Sequence, residues 1–166
     1  MINQEAIIAR WGLVGIFALC LLSATLLPGF SEVGLAALAA GGVYRAWSLV
    51  GVASLGNWLG GVITYATGWW LGMEKLVDWF GISAESVAGV ETWVESYGAL
   101  CGLLVWTPVV GDPLAAALGL AHSPVVGTCL LMFIGKALRY ICIVFVVDKV
   151  ATFIKERQTH KIKIEK

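Results

Sequence analysis

Four ionisable residues lie deep in apolar sequence: Glu32, Asp112, Lys136 and Arg139. A charge at the centre of a bilayer costs ~2.5–3.5 kcal/mol on insertion scales, so a chain keeps one there when it is paired or has work to do. Two are acidic and two basic, so the set can be neutral. Lys136 and Arg139 stand three apart and share a helix face. The economical arrangement points that face at both acids, around a polar cavity. The chemistry on offer is anion binding and proton exchange. A guanidinium matches the fork of a phosphate or carboxylate, and an ammonium acts as a point charge. A carboxylate whose burial changes with conformation can take up and release a proton. Asn57 is a further candidate, although Asn in a spanning helix also serves simply to bond a neighbouring helix.

Both acids follow a proline-centred break, and the two breaks match. The first reads Pro28-Gly29-Phe30-Ser31-Glu32, followed by Leu35-Ala36-Ala37-Leu38. The second reads Pro108-Val109-Val110-Gly111-Asp112-Pro113, followed by Leu114-Ala115-Ala116-Ala117-Leu118. A shift of 80 sets Pro28 on Pro108, Glu32 on Asp112 and Leu38 on Leu118, which reads as a duplicated unit. With one residue dropped, Gly56-Asn57 falls on Gly135-Lys136 and Gly60 on Arg139.

Composition places the unit in a membrane. The chain is 59% hydrophobic and 13% charged, against about 25% charged in soluble domains. Its net charge is zero, so bulk charge implies no nucleic-acid partner. Cys20, Cys101, Cys129 and Cys142 stand singly, and His122 and His160 are the only histidines. No metal site, cofactor, phosphate loop or nucleophile–base set is expected, and an enzyme is the least favoured class. The apolar N-terminus lacks the positive flank of a signal peptide, because Glu5 offsets Arg10, and it is read as mature membrane structure.

Four apolar blocks organise the chain into an all-helical polytopic membrane domain covering 1–166. Residues 7–42 and 97–120 are the split blocks, and 47–71 and 124–147 are long enough to span. A span needs about 20 apolar residues. The second arms of the split blocks are too short, which predicts re-entrant hairpins in an inverted repeat, each followed by a transmembrane helix. The rival is a pair of kinked full spans. Residues 73–96 are acidic and read as an interfacial helix pair outside the cell, and 148–166 read as a basic cytoplasmic tail. Basic flanks stay inside, so both termini are expected in the cytoplasm. Trp58 and Trp106 lie deeper than the aromatic belts and read as packing residues.

Local alternatives exist for each charged residue. Asp112-Pro113 makes a good helix start, with Asp as the N-cap. Glu32 in a first turn suits the helix dipole. Lys136 and Arg139 can be purely structural ion pairs. Three functions follow in order: a transporter of an anionic lipid, coupled to protons; a small-anion or ion transporter on the same fold; and a non-transporting membrane-homeostasis or structural protein. Membrane lipids, protons and small anions are the expected partners, and a homodimer suits so small a transporter.

Four segments carry a family resemblance: Ser23-Ala24-Thr25-Leu26-Leu27-Pro28-Gly29 with Ser31-Glu32; Gly56-Asn57 with Leu59-Gly60-Gly61; Trp106 to Asp112; and Gly135-Lys136-Ala137-Leu138-Arg139-Tyr140. In this order they resemble the YqaA branch of the DedA family, within the VTT-domain (SNARE-associated Golgi protein) superfamily. The resemblance implies two re-entrant hairpins in inverted repeat, a place in the bacterial inner membrane and a role in lipid homeostasis. Better-known members are similar to proton-motive-force-dependent flippases of lipid phosphates, and eukaryotic relatives to scramblases. The family's hairpin-one acid carries over to Glu32. Many members flank the hairpin-two proline with arginines. Here Val105 to Gly111 has none, Asp112 follows, and the basic residues lie at Lys136 and Arg139.

Overall fold

The computed structural model describes residues 4–23, 30–80, 84–107 and 110–164, and every regular element among them is helical. Helix α1 is Gln4–Ser23, α2 is Phe30–Gly41, α3 is Ala46–Phe80 and α4 is Ala84–Tyr97. A 3₁₀ helix follows over Gly98–Trp106, then α5 at Gly111–Leu120 and α6 at Val125–Ile164. Pro28, Gly29 and Pro108, expected at the hairpin tips, lie outside the described residues.

Helix boundaries follow the breakers. Between Ala46 and Phe80 there is no proline, and α3 runs unbroken for 35 residues, about 52 Å at the α-helical rise. The first part of the acidic segment is therefore the end of α3, and only α4 is a separate helix. The basic C-terminal segment likewise continues α6, which extends for 40 residues. Gly98, at a positive φ of 54°, turns the chain from α4 into the 3₁₀ helix.

Two stretches are long and apolar enough to cross a membrane, Ala46–Leu71 and Val125–Phe153. Under half of the most apolar part of each is buried inside the protein, 44% and 28%. The core helix of a soluble protein is mostly covered; these turn apolar stripes outward. Leu55, Leu59 and Ile63 are exposed along α3, and Val126, Leu130, Ile134 and Leu138 along α6. Their spacing of four residues is one side of a helix, and such a surface suits a membrane or a protein partner.

Two cores lie at opposite ends. One joins Ile16 and Cys20 of α1, Leu35 of α2, Leu49, Val50 and Ala53 of α3, and Tyr140 and Val144 of α6. The other joins Cys101 and Val105 of the 3₁₀ helix, Ala115 and Leu118 of α5, Tyr65 of α3 and Met132 of α6. The start of α3 thus meets the later part of α6, and the later part of α3 meets the start of α6, so the two long helices run antiparallel. Helix α1 packs on α3 and α2 on α6, while the 3₁₀ helix packs on α6 and α5 on α3. Asn57, Lys136 and Arg139 fall between the two cores along their helices.

Candidate polar site between the two cores

The site is built on α6. Its turn from Lys136 to Tyr140 presents an ammonium, a guanidinium and a phenol to α2 and α5. Arg139 Nη2 forms an ion pair with Glu32 Oε1 of α2. Lys136 Nζ forms a longer one, 3.5 Å, with Asp112 Oδ1 of α5. The sequence expectation that this face meets both acids thus matches the geometry.

The two pairs differ in their surroundings. Lys136 is almost fully buried, its side chain 2% exposed. Its Nζ also donates to the backbone carbonyl of Asn57, at 2.9 Å. Asn57 in turn donates through Nδ2 to the Cys20 carbonyl of α1, at 3.3 Å. Arg139 is 13% exposed and Glu32 23%. Arg139 Nη1 donates to the Trp106 carbonyl at the end of the 3₁₀ helix, at 3.0 Å. The other Glu32 oxygen, Oε2, accepts from Ser31 Oγ at 3.0 Å. Ser31 Oγ accepts in turn from the buried Tyr140 hydroxyl, at 3.2 Å. Glu32 is therefore held twice, by a cation and by a chain of hydroxyls.

Asp112 is not the N-cap its sequence context suggested. Helix α5 starts at Gly111 with Val110 as N-cap, and no side chain caps it. Asp112 and Pro113 lie in the first turn, and the carboxylate reaches across to Lys136. Gly111 belongs to close packing, because a Cβ there would collide with the Val105 carbonyl. Trp58 is a packing residue as expected: its indole donates to the Cys129 carbonyl at 2.8 Å and stands edge-on to Phe133.

Sequence reasoning missed Tyr140 as a member of the site, and also the carbonyls of Cys20, Asn57 and Trp106. Tyr140 had one available signal, its position four residues after Lys136, on the same helix face. The carbonyls had none, since backbone acceptors carry no residue-type signature.

A VTT-domain model matches residues 27–149, a span that contains all four charged residues. The chain is 40% identical over 134 residues to the inner membrane protein YqaA of Escherichia coli (strain K12), covering 79% of this chain and 87% of that protein. The YqaA protein of Shigella flexneri gives the same figures. An uncharacterized protein of Haemophilus influenzae is 36% identical over 136 residues, covering 78% and 83%. No solved structure matches.

Proposed function

This chain belongs to the VTT-domain family, in its YqaA branch, and on that premise we propose that it is a transporter moving an anionic lipid headgroup across the bacterial inner membrane. The relatives' printed name, inner membrane protein, supports the location. The observation that carries the reading is the pairing of Arg139 with Glu32 and of Lys136 with Asp112, between the two cores. A structural protein gains little from buried ion pairs, since well-packed apolar residues are often as stabilising. A transporter needs them, because a broken hairpin that presents a first-turn site at mid-depth is a place to receive a charged group.

Architecture supports the same reading. Exchanging the two halves turns α1 on α3 into the 3₁₀ helix on α6, and α2 on α6 into α5 on α3. That exchange of partners is what an inverted repeat requires. Two hairpins opening to opposite sides around one charged layer give alternating access a structural basis. In the proposed cycle Glu32 leaves Arg139 and takes up a proton while unpaired, and Asp112 stays on Lys136.

Reconstitution in liposomes tests the reading. Fluorescent phosphatidic acid is expected to change leaflets at least about tenfold faster with protein than without, a barrier change of about 1.4 kcal/mol. Arg139→Gln and Glu32→Gln are both expected to abolish the gain. Wild-type rates in both variants would sink the assignment. Flux of a soluble anion with no lipid movement would replace the lipid by a small anion.

A further inference from the structure

The two cations are not equivalent, and the difference assigns their roles. Lys136 is committed to the protein. Its ammonium reaches the Asn57 carbonyl through a gap left by Gly61, one turn further along α3. In a helix the side chain four residues on helps to cover a carbonyl. A Cβ at Gly61 would stand 2.8 Å from Lys136 Nζ and 2.8 Å from Met132 Sδ. Glycine therefore uncovers the Asn57 carbonyl and seats the ammonium against α3, where the side chain is 2% exposed.

Arg139 has the opposite design. One side of its fork is anchored on the Trp106 carbonyl, which fixes the guanidinium without neutralising it. The other side holds a carboxylate that is itself partly exposed and has a second support in Ser31 and Tyr140. Carboxylate and phosphate present the same two-oxygen edge to a guanidinium. An incoming phosphate can take the place of Glu32 without moving Arg139. Glu32 then stays within reach on its hydroxyl support.

We infer that Arg139 is the anion-binding cation, that its ligand is a phosphate edge, and that Glu32 is an internal competitor occupying the guanidinium until phosphate displaces it. Lys136 is the fixed counter-charge of Asp112. This rests on the reading that the chain handles an anionic headgroup.

The test is calorimetric titration of the purified full chain in phosphatidylcholine nanodiscs with dodecyl phosphate, and separately with inorganic phosphate. Removing the competitor in Glu32→Gln is expected to tighten dodecyl phosphate binding about tenfold while abolishing the transport gain. Asp112→Asn gives no such gain. Arg139→Gln leaves Glu32 unpaired and invites misfolding, so the decisive variant is Glu32→Gln with Arg139→Gln, which removes both charges. It is expected to lose at least the tenfold gained by Glu32→Gln, and Glu32→Gln with Arg139→Lys to fall between. Competition by inorganic phosphate identifies a free anion, and its absence a lipid headgroup; either source fits the site. Binding unchanged by Glu32→Gln, tightened by Asp112→Asn, or retained in the double glutamine variant overturns the inference alone. A wild-type protein that binds neither probe overturns the anion reading and the inference with it.

Discussion

At the scale of the residue, Lys136 is a charge with no route to water. Removing one partner of a buried ion pair costs about 3–5 kcal/mol, mostly because the other is left unpaired, whereas removing both can be nearly neutral. Lys136→Met is therefore expected to lower the thermal midpoint in detergent sharply. Adding Asp112→Asn should restore most of the loss. A double variant as unstable as the single one would mean that the bond from Lys136 to the Asn57 carbonyl, not the pair with Asp112, holds the helix in place. The spacing of Lys136 and Arg139 made their shared face legible, and apolar surroundings made pairing with Glu32 and Asp112 the economical outcome. Their division of labour was not legible. It depends on a missing Cβ at Gly61 and on a carbonyl at Trp106, both contributed by other helices. The same reason defeated the N-cap reading of Asp112. A local signature of Asp before Pro fits a helix start, yet it says nothing of an ammonium on another helix that competes for the carboxylate.

At the scale of the element, the close crossing of α3 and α5 depends on two glycines facing each other's backbone. A Cβ at Gly68 would collide with the Ala116 carbonyl, and one at Gly119 with the Tyr65 carbonyl. Small residues at such a crossing let helices approach in a membrane, where packing rather than water drives association. Overpacking typically costs about 1–3 kcal/mol, and here the obstacle is backbone, which cannot rotate away. Gly68→Val should destabilise the protein by at least that amount, read as a fall in thermal midpoint. A tolerated valine would show that α5 is free to lift from α3. The pattern of apolar blocks marked where the helices are broken, but not their helix type. The arm Gly98–Trp106 is a 3₁₀ helix of nine residues, longer than the usual three or four. At about 2.0 Å per residue it reaches about 18 Å, against about 13 Å for the same residues in an α-helix. Sequence periodicity separates these poorly over nine nearly uniform apolar residues. Likewise, nothing between Leu71 and Phe80 breaks a helix, so the change to charged composition there marked a change of environment rather than the end of α3.

At the scale of the whole molecule, the question is how many times each split block crosses. Helices α2 and α5 have 12 and 10 residues, about 18 and 15 Å long, short of the ~30 Å hydrocarbon core. If each hairpin enters and leaves on one face, only α3 and α6 cross. Helix α4 then lies on the side opposite the α6 extension. If each split block instead crossed once, α3 and α6 would run parallel, against the antiparallel packing of their two cores, and α4 and the α6 extension would share a side. Charge favours the first arrangement: exposed Glu85, Glu91 and Glu95 on α4 suit the outer face, and Lys149, Lys155, Arg157, Lys161 and Lys163 suit the inner. Single cysteines at two exposed positions separate the cases, in a background with the exposed Cys142 changed to serine. In intact spheroplasts a membrane-impermeant maleimide should label Glu91→Cys at once and Arg157→Cys only after the membrane is opened. Equal labelling of both before opening would give each split block a full crossing. The charges at Glu32 and Asp112 would then sit on kinked spans rather than at opposed hairpin tips. Exchange at Arg139 could still occur, but the two halves would no longer open to opposite faces.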